Sequence, residues 1–510
     1  MSCAADGAAA PVTGRRVLLI ALPVVLSNAT VPLQGAVDTA VIGSLGSEVY
    51  LAGVGLGAQM FALLFSSFNF LQTATSGLSA QALGARDPGR VLDTLARALA
   101  AALALAAVMM LARGPLRVAG LALFEGSAQA EALAGVYFDI RILGAPAELA
   151  NYALLGWFAG QEMTRRLFQH QLVVSLSNIA LNLTLVLGFG MDVDGVALGT
   201  VLAAYLGLAY GLWLARGRAG VIAPQGWRAD PARILRRDAL AALFALNRDI
   251  FTRTLLLTGA FAWMTRLGSM QGDAALAANV VLWQFFIVTA YALDGFAIAA
   301  ESLVGQAFGA RDAAAFRRAA IVSSLWSGAL ALAASALLLA LSGPLIDLMT
   351  TAPEVRALAR IYAPWAALTP AMGFLAFQLD GIFIGAAAGR AMRDAMLFAA
   401  ALYYPGAWFA AAAFGNHGVW GALIAFLLLR AAALLALYPA LERRAAGACR
   451  AGRDAKPVAS APARAYQRGD ARDALSNRFA RARTLCRSAA VRRPPRFALD
   501  CHPSRAAARR

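Results

Sequence analysis

The sequence predicts an all-α integral membrane protein, with twelve transmembrane helices in two six-helix lobes related by pseudo-two-fold symmetry. Three observations carry that prediction: apolar residues gathered into long uncharged blocks, arginines concentrated in alternate loops, and a motif that returns at a fixed offset along the chain.

Hydrophobic residues make up 60% of the 510 positions and charged residues only 14%, with mean hydropathy +0.63. A soluble globular chain is nearer half apolar and a quarter charged. Val201–Ala215, Ile321–Leu341 and Leu397–Phe414 hold no charge at all. In hydrocarbon every backbone polar group must find its partner within the chain, which leaves helices or closed barrels. These blocks outrun a barrel strand of about 10 residues and do not alternate, so they read as helices.

Twelve spans follow, at about 17–43, 51–80, 93–122, 135–160, 168–190, 194–215, 243–268, 275–304, 318–341, 358–386, 394–414 and 417–440. Met1–Gly14 is small and mildly polar, and the apolar run after Arg15-Arg16 is too long for a signal-peptide core, so it reads as the first span. Loop arginines set the orientation. Arg86 and Arg90, Arg165 and Arg166, Arg311, Arg317 and Arg318, and Arg390 and Arg393 fall in alternate loops with the arginines of 216–237, whereas the opposite loops hold Arg113, Arg117, Arg356 and Arg360. Both termini are therefore expected in the cytoplasm. The predicted organisation is an N-terminal segment 1–14, an N-lobe 15–216, a cytoplasmic linker 217–240, a C-lobe 241–442 and a basic tail 443–510. That tail carries 18 Arg and Lys against four Asp, which accounts for most of the net +17. Its composition predicts disorder, with anionic lipid as a plausible contact and no specific nucleic-acid partner. The four cysteines (Cys3, Cys449, Cys486, Cys501) lie in terminal segments without metal-ligand spacing.

The repeat is the most informative feature. Gln81-Ala-Leu-Gly-Ala-Arg-Asp87 returns as Gln306-Ala-Phe-Gly-Ala-Arg-Asp312, an offset of 225 that also pairs Gly156, Phe158, Gly160 and Arg165 with Gly381, Phe383, Gly385 and Arg390. Six spans repeated as six enter from the same side. Parallel repeats of this kind are a transporter architecture, with substrate held between the halves and access alternated by rocking.

Ionisable groups at membrane depth are functional candidates. Asp38 leads, deep in the first span with Gln34 one turn before it and Pro23 and Pro32 as kink points. A carboxylate there is a candidate for exchanging a proton or coordinating sodium; a structural, hydrogen-bonded carboxylate is the alternative. Asp380 in span 10 and Asp294 in span 8 divide between function and a structural polar network. Glu301 is placed near the cytoplasmic end, where Arg311 or Arg318 would partner it. Arg266 with Asp273, and Arg141 with Glu148, read as structural pairs. Asn178 and Asn182, four apart in span 5, share a face and read as amides that hydrogen-bond across the lobe without adding charge, or as helix–helix glue. No phosphate-binding loop, nucleophile elbow or His-Glu-x-x-His occurs, so ATP-driven pumping and metal-dependent catalysis lose support and no enzyme, cofactor or metal is implied.

Leu22-Pro-Val-Val-Leu-Ser-Asn28, Val37-Asp-Thr-Ala-Val-Ile-Gly43, the two Gln-Ala-x-Gly-Ala-Arg-Asp motifs and Leu293-Asp-Gly-Phe-Ala-Ile-Ala-Ala-Glu-Ser-Leu-Val-Gly-Gln306 together resemble the MATE (multidrug and toxic compound extrusion) family, in its DinF-like branch, over about 15–442. The resemblance implies an inner-membrane, monomeric antiporter that exports cationic or amphipathic small molecules against a proton or sodium gradient. It implies Asp38 as the N-lobe coupling carboxylate and Pro23 as the point where the first helix bends. It also implies Tyr137, Asn178 and Thr200 as the polar network around Asp38, and Asp380 as the C-lobe acid of sodium-coupled relatives. Asn182 stands where relatives often carry a second Asp, leaving one titrating carboxylate in the N-lobe. With no acid deep in span 7, protons are favoured over sodium. The rival readings are a sodium-coupled antiporter of the same fold, a lipid-linked precursor flippase and a major-facilitator-type carrier. A flippase would need a strongly cationic cavity, which the lobe interiors do not announce, and the facilitator loop motif has a different spacing.

Overall fold

The computed structural model describes residues 11–43, 48–124 and 126–454. All regular structure among them is helical. In the first half, α1 (Gly14–Gly43) is followed by α2 (Glu48–Ser66) and α3 (Phe70–Gly84), which share one span broken at 67–69. Next come α4 (Pro88–Leu111) and α5 (Arg113–Leu123), then α6 (Ala128–Arg141) joined by a short 3-10 turn to α7 (Ala145–Gly160). α8 (Thr164–Asn182) continues as a π-helical turn, Leu183–Gly188, before α9 (Val193–Ile222). After the four-residue α10 (Pro231–Ile234), the second half holds α11 (Arg237–Ser269), α12 (Asp273–Gly309), α13 (Ala313–Met349), α14 (Pro353–Gly385) and α15 (Gly389–Asp454).

Eight helical stretches are long and apolar enough to cross a membrane by length and composition. One of them, Gly389–Ala446, bends at Gly415 (φ 57°), where a residue with positive φ parts two arms that match the predicted spans 11 and 12. The helices at the other predicted positions, α1, α6 with α7, and α11, fall outside that measure: α6 and α7 are 14 and 16 residues long, and α11 carries Arg248, Asp249, Arg253 and Arg266. α1 stays helical through Pro23 and Pro32.

The repeated heptapeptide is a folded device. α3 and α12 each end in a Schellman turn: Arg86 N–H bonds Leu83 O and Asp87 N–H bonds Ala82 O, and Arg311 and Asp312 bond Phe308 O and Ala307 O in the same way. Asp87 and Asp312 then cap the following helices, each accepting a backbone N–H (Arg90, Ala315) at 2.9 Å. The glycines permit close approach. A Cβ on Gly84 would run into the backbone of Gln306, and one on Gly309 into the backbone of Gln81, so the two motifs clasp each other across the pseudo-two-fold axis. Gln81 Nε2 also donates to Gly385 O at 2.9 Å.

Burial is extensive along α3, α7, α12 and α14, whose inner faces are mostly Ala, Gly, Leu and Phe. Such small residues let helix backbones approach closely where lipid supplies no hydrophobic drive. The linker is docked on the first half: Asp93 of α4 accepts from Trp227 Nε1 (3.0 Å) and Arg233 (2.8 Å), and Arg97 Nε donates to Ile234 O (2.9 Å). Helix persists through Asp454, past the point at 443 where disorder was predicted to begin; the remainder of the basic tail, and the segments before residue 11, lie outside the described residues.

Candidate functional site

In the N-lobe, one face of α1 meets one face of α8. Gln34 and Asp38, four apart, look onto Ser175, Asn178 and Asn182. Asp38 is half-buried and accepts a hydrogen bond from Asn182 Nδ2 at 2.8 Å. The same nitrogen donates to Asn178 Oδ1 (3.2 Å), and Asn178 Nδ2 donates to Thr200 Oγ1 (3.0 Å), which itself donates to Val196 O (2.8 Å). Ser175 Oγ donates to Gln34 Oε1 at 3.1 Å. A relay thus runs from α9 through α8 to the carboxylate on α1. Gly199 makes room for it, since a Cβ there would strike Asn182 Oδ1. Tyr137 is buried beside Arg141, within the field of Asp38. Arg141 stands over the rings of Phe61 and Phe65 at 5.5 and 5.0 Å and pairs with Glu148 at 3.6 Å, as the seven-residue spacing suggested. Asp38 itself feels Arg141 electrostatically, while its hydrogen bond comes from an amide.

The C-lobe is built otherwise. Asp380 on α14 is gripped by two guanidinium groups, Arg253 from α11 and Arg430 from the second arm of α15. Asp380 and Arg430 are buried and Arg253 is nearly so: the side chains of Asp380, Arg253 and Arg430 retain 8%, 15% and 2% exposure. Arg430 also lies over Phe377, 5.9 Å from its centroid, next to the Phe261–Trp283–Phe286 cluster. Asp294 on α12 is exposed and within the field of Arg253.

Three expectations are corrected here. The C-lobe interior does hold arginines, two of them, whose charges are offset by Asp380 and by Asp294. Glu301 has neither Arg311 nor Arg318 as partner; it is buried against Ser76 of α3, its own counterpart at the offset of 225. Arg266 lies over the ring of Trp263, three residues earlier on the same helix, at 5.8 Å and forms no ion pair with Asp273 among the described residues. Arg253 and Arg430, not singled out from the sequence, were legible as intramembrane charges under the same rule that found Asp38.

Hydrogen bonds that join the lobes gather toward the end bearing the heptapeptides. Ser302 Oγ donates to Gly160 O (3.4 Å), and Arg16 grips Glu162, with Nε–Oε2 at 2.9 Å, while reaching Gln306 Oε1 at 3.4 Å. Farther along α1, Asn28 Nδ2 donates to Tyr291 O at 3.1 Å.

The MatE family model matches twice, over 23–184 and 250–409, once in each half. The chain belongs to the MATE family. Its members are transporters rather than enzymes, and they handle small molecules. DNA damage-inducible protein F of Escherichia coli K12 is 40% identical over 431 residues, covering 82% of this chain and 90% of that one. A probable multidrug resistance protein NorM of Bradyrhizobium diazoefficiens is 29% identical over 84% of this chain and 94% of its own. Among solved structures, one described as MATE in the bent conformation superposes with TM-score 0.76 at 17% identity, covering 87% of this chain and all of the other. The MATE fold, with its two lobes, is therefore the architecture of this protein.

Proposed function

We propose that this MATE transporter is a proton-coupled antiporter of the inner membrane that exports cationic or amphipathic organic compounds by rocker-switch alternating access, with both termini cytoplasmic. One observation carries the reading: Asp38 is half-buried and bound by an amide, whereas Asp380 is held between two arginines. A carboxylate must be free to gain and lose a proton if it is to exchange that proton for a cationic substrate. Asn182 and Asn178 adapt to either state, because an amide can donate to a carboxylate and its oxygen can accept from a carboxylic acid. Proton and substrate then compete for Asp38, and each acts only through its different affinity for the two states of the transporter.

Sodium coupling is disfavoured on the same grounds. A hard cation takes several oxygen ligands, preferably charged. The N-lobe offers one carboxylate, with Asn182 where a second would stand, and the C-lobe carboxylate is already neutralised. Efflux of a fluorescent organic cation from proteoliposomes, with proton and sodium gradients imposed separately, tests this. Efflux driven by sodium alone would overturn the proposal. A reporter fused after Leu441 that is active only on the periplasmic side would overturn the orientation.

A further inference from the structure

We propose that Glu301 is a proton-operated gate residue: the end of the molecule that bears the heptapeptides closes with this carboxyl neutral and opens as it ionises. The inference rests on the alternating-access reading above and adds to it a second titrating group, in the C-lobe and apart from Asp38.

Glu301 sits where the lobes meet on their pseudo-two-fold axis. It belongs to α12 of the C-lobe, and the polar side chain beside it is Ser76 of α3 in the N-lobe, its own counterpart at the offset of 225. One turn farther along, Gly305 faces its counterpart Ala80 with no room for a Cβ between them, and a Cβ on Gly77 would strike Ile384 O across the seam. The backbones around the pair are also symmetric. A Cβ on Gly160 would run into Ser76 O, and one on Gly385, the counterpart of Gly160, into Glu301 O. Both side chains are buried, and neither Ser76 Oγ nor Glu301 Oε1 has a hydrogen-bond partner. Serine fills this place on one side of the axis, so the carboxyl on the other side is more than the packing asks for.

No cation compensates that carboxyl. α3 carries no ionisable residue. On α14, Asp380 is held by Arg253 and Arg430; at the end of α7, Glu162 is held by Arg16 of α1. On α13, Arg317 pairs with Glu442, and Arg318, like Arg15 of α1, is exposed. The charged group whose field reaches Glu301 is Asp294, two turns earlier on α12, which is another acid. A full charge buried without a partner is costly, and a carboxyl escapes the cost by holding a proton. In water the same group is ordinarily ionised above about pH 4.3. Parting the lobes separates α12 from α3 and lets water reach Glu301. Closing this end therefore takes up one proton from the compartment it faces, and opening returns it. Acid on that side holds the end shut. Where that side is the cytoplasm of a proton-driven exporter, a fall in cytoplasmic pH restrains the opening that would deliver more protons.

Spin labels at Arg90→Cys and Ala314→Cys, both exposed and one in each lobe, report opening of this end as a distance. The full chain is used in nanodiscs, with Cys3, Cys449, Cys486 and Cys501 replaced by serine. From about pH 6 to about pH 8 the ratio of open to closed molecules should rise more steeply in the parent than in Glu301→Gln, by about tenfold per pH unit, the slope of one proton. A side chain that only packs would leave the slope unchanged. The difference should persist with Asp38→Asn in both chains, because it does not use Asp38. Equal slopes in the parent and Glu301→Gln overturn the inference, and so does a difference that vanishes with Asp38→Asn. Efflux by Asp38→Asn bears on the coupling proposal alone, so the two fail separately. If Glu301→Gln does not fold, Glu301→Ser, which copies the counterpart residue, takes its place with the same expected slope.

Discussion

Asp38 and Asp380 are the carboxylates that family resemblance singles out in the two lobes, and they meet opposite surroundings. Asp38 has one amide donor and partial access; Asp380 has two guanidinium groups and almost none. Duplication made the lobes alike in backbone, and the loop charges of the heptapeptide follow the repeat, yet the charged residues within the spans do not. The counterpart of Arg253 is Asn28, that of Arg430 is Tyr205, and that of Asp38 is Trp263, each at the offset of 225. One lobe holds a carboxylate hydrogen-bonded by an amide, the group that the proposed coupling requires to change charge. The other has a set of charges that compensate one another, which gives the buried groups low-cost company but leaves little to titrate.

The sharpest way to break this contrast is Asp38→Asn. Proton-driven efflux from proteoliposomes should fall to the background of protein-free vesicles with insertion unchanged, and retained efflux would end the coupling model. Next in size, Asp380→Asn strands two buried arginines, and stability should drop by about 3–5 kcal/mol, as when one partner of a buried pair is removed. Neutralising the whole group (Arg253→Gln, Asp380→Asn, Arg430→Gln) should recover most of that loss in a thermal melt. A triple variant weaker than the single one would mean that Asp380 does more than balance charge. Asn182→Asp makes the N-lobe offer two carboxylates to one ion. A sodium-driven component should then appear in efflux, and its absence would show that the second acid is insufficient. The smallest effect is expected for Asn178→Ala, which cuts the relay one residue from Asp38. Loss of a hydrogen bond worth about 1 kcal/mol should shift the proton concentration needed for half-maximal efflux by less than about tenfold.

What the sequence determined by itself is large for a membrane protein, and the reason is the solvent. Hydrocarbon forbids unsatisfied backbone, so uncharged blocks had to be helices, and their lengths reveal where the chain turns. The heptapeptide repeat exposed the duplication because its Gly, Arg and Asp each have a job in the turn, as clasp, left-handed link and cap. Asp38, Asn178, Asn182 and Thr200 were legible through depth, spacing and family pattern. Tertiary structure alone decided which charges meet. Arg253, Asp380 and Arg430 lie on three helices and are separated by 127 and 50 residues of chain, and no local periodicity links them. The same holds for Glu301 facing its own repeat mate Ser76. Helical periodicity records which way a side chain points; only the packing of one helix against another determines what it finds there.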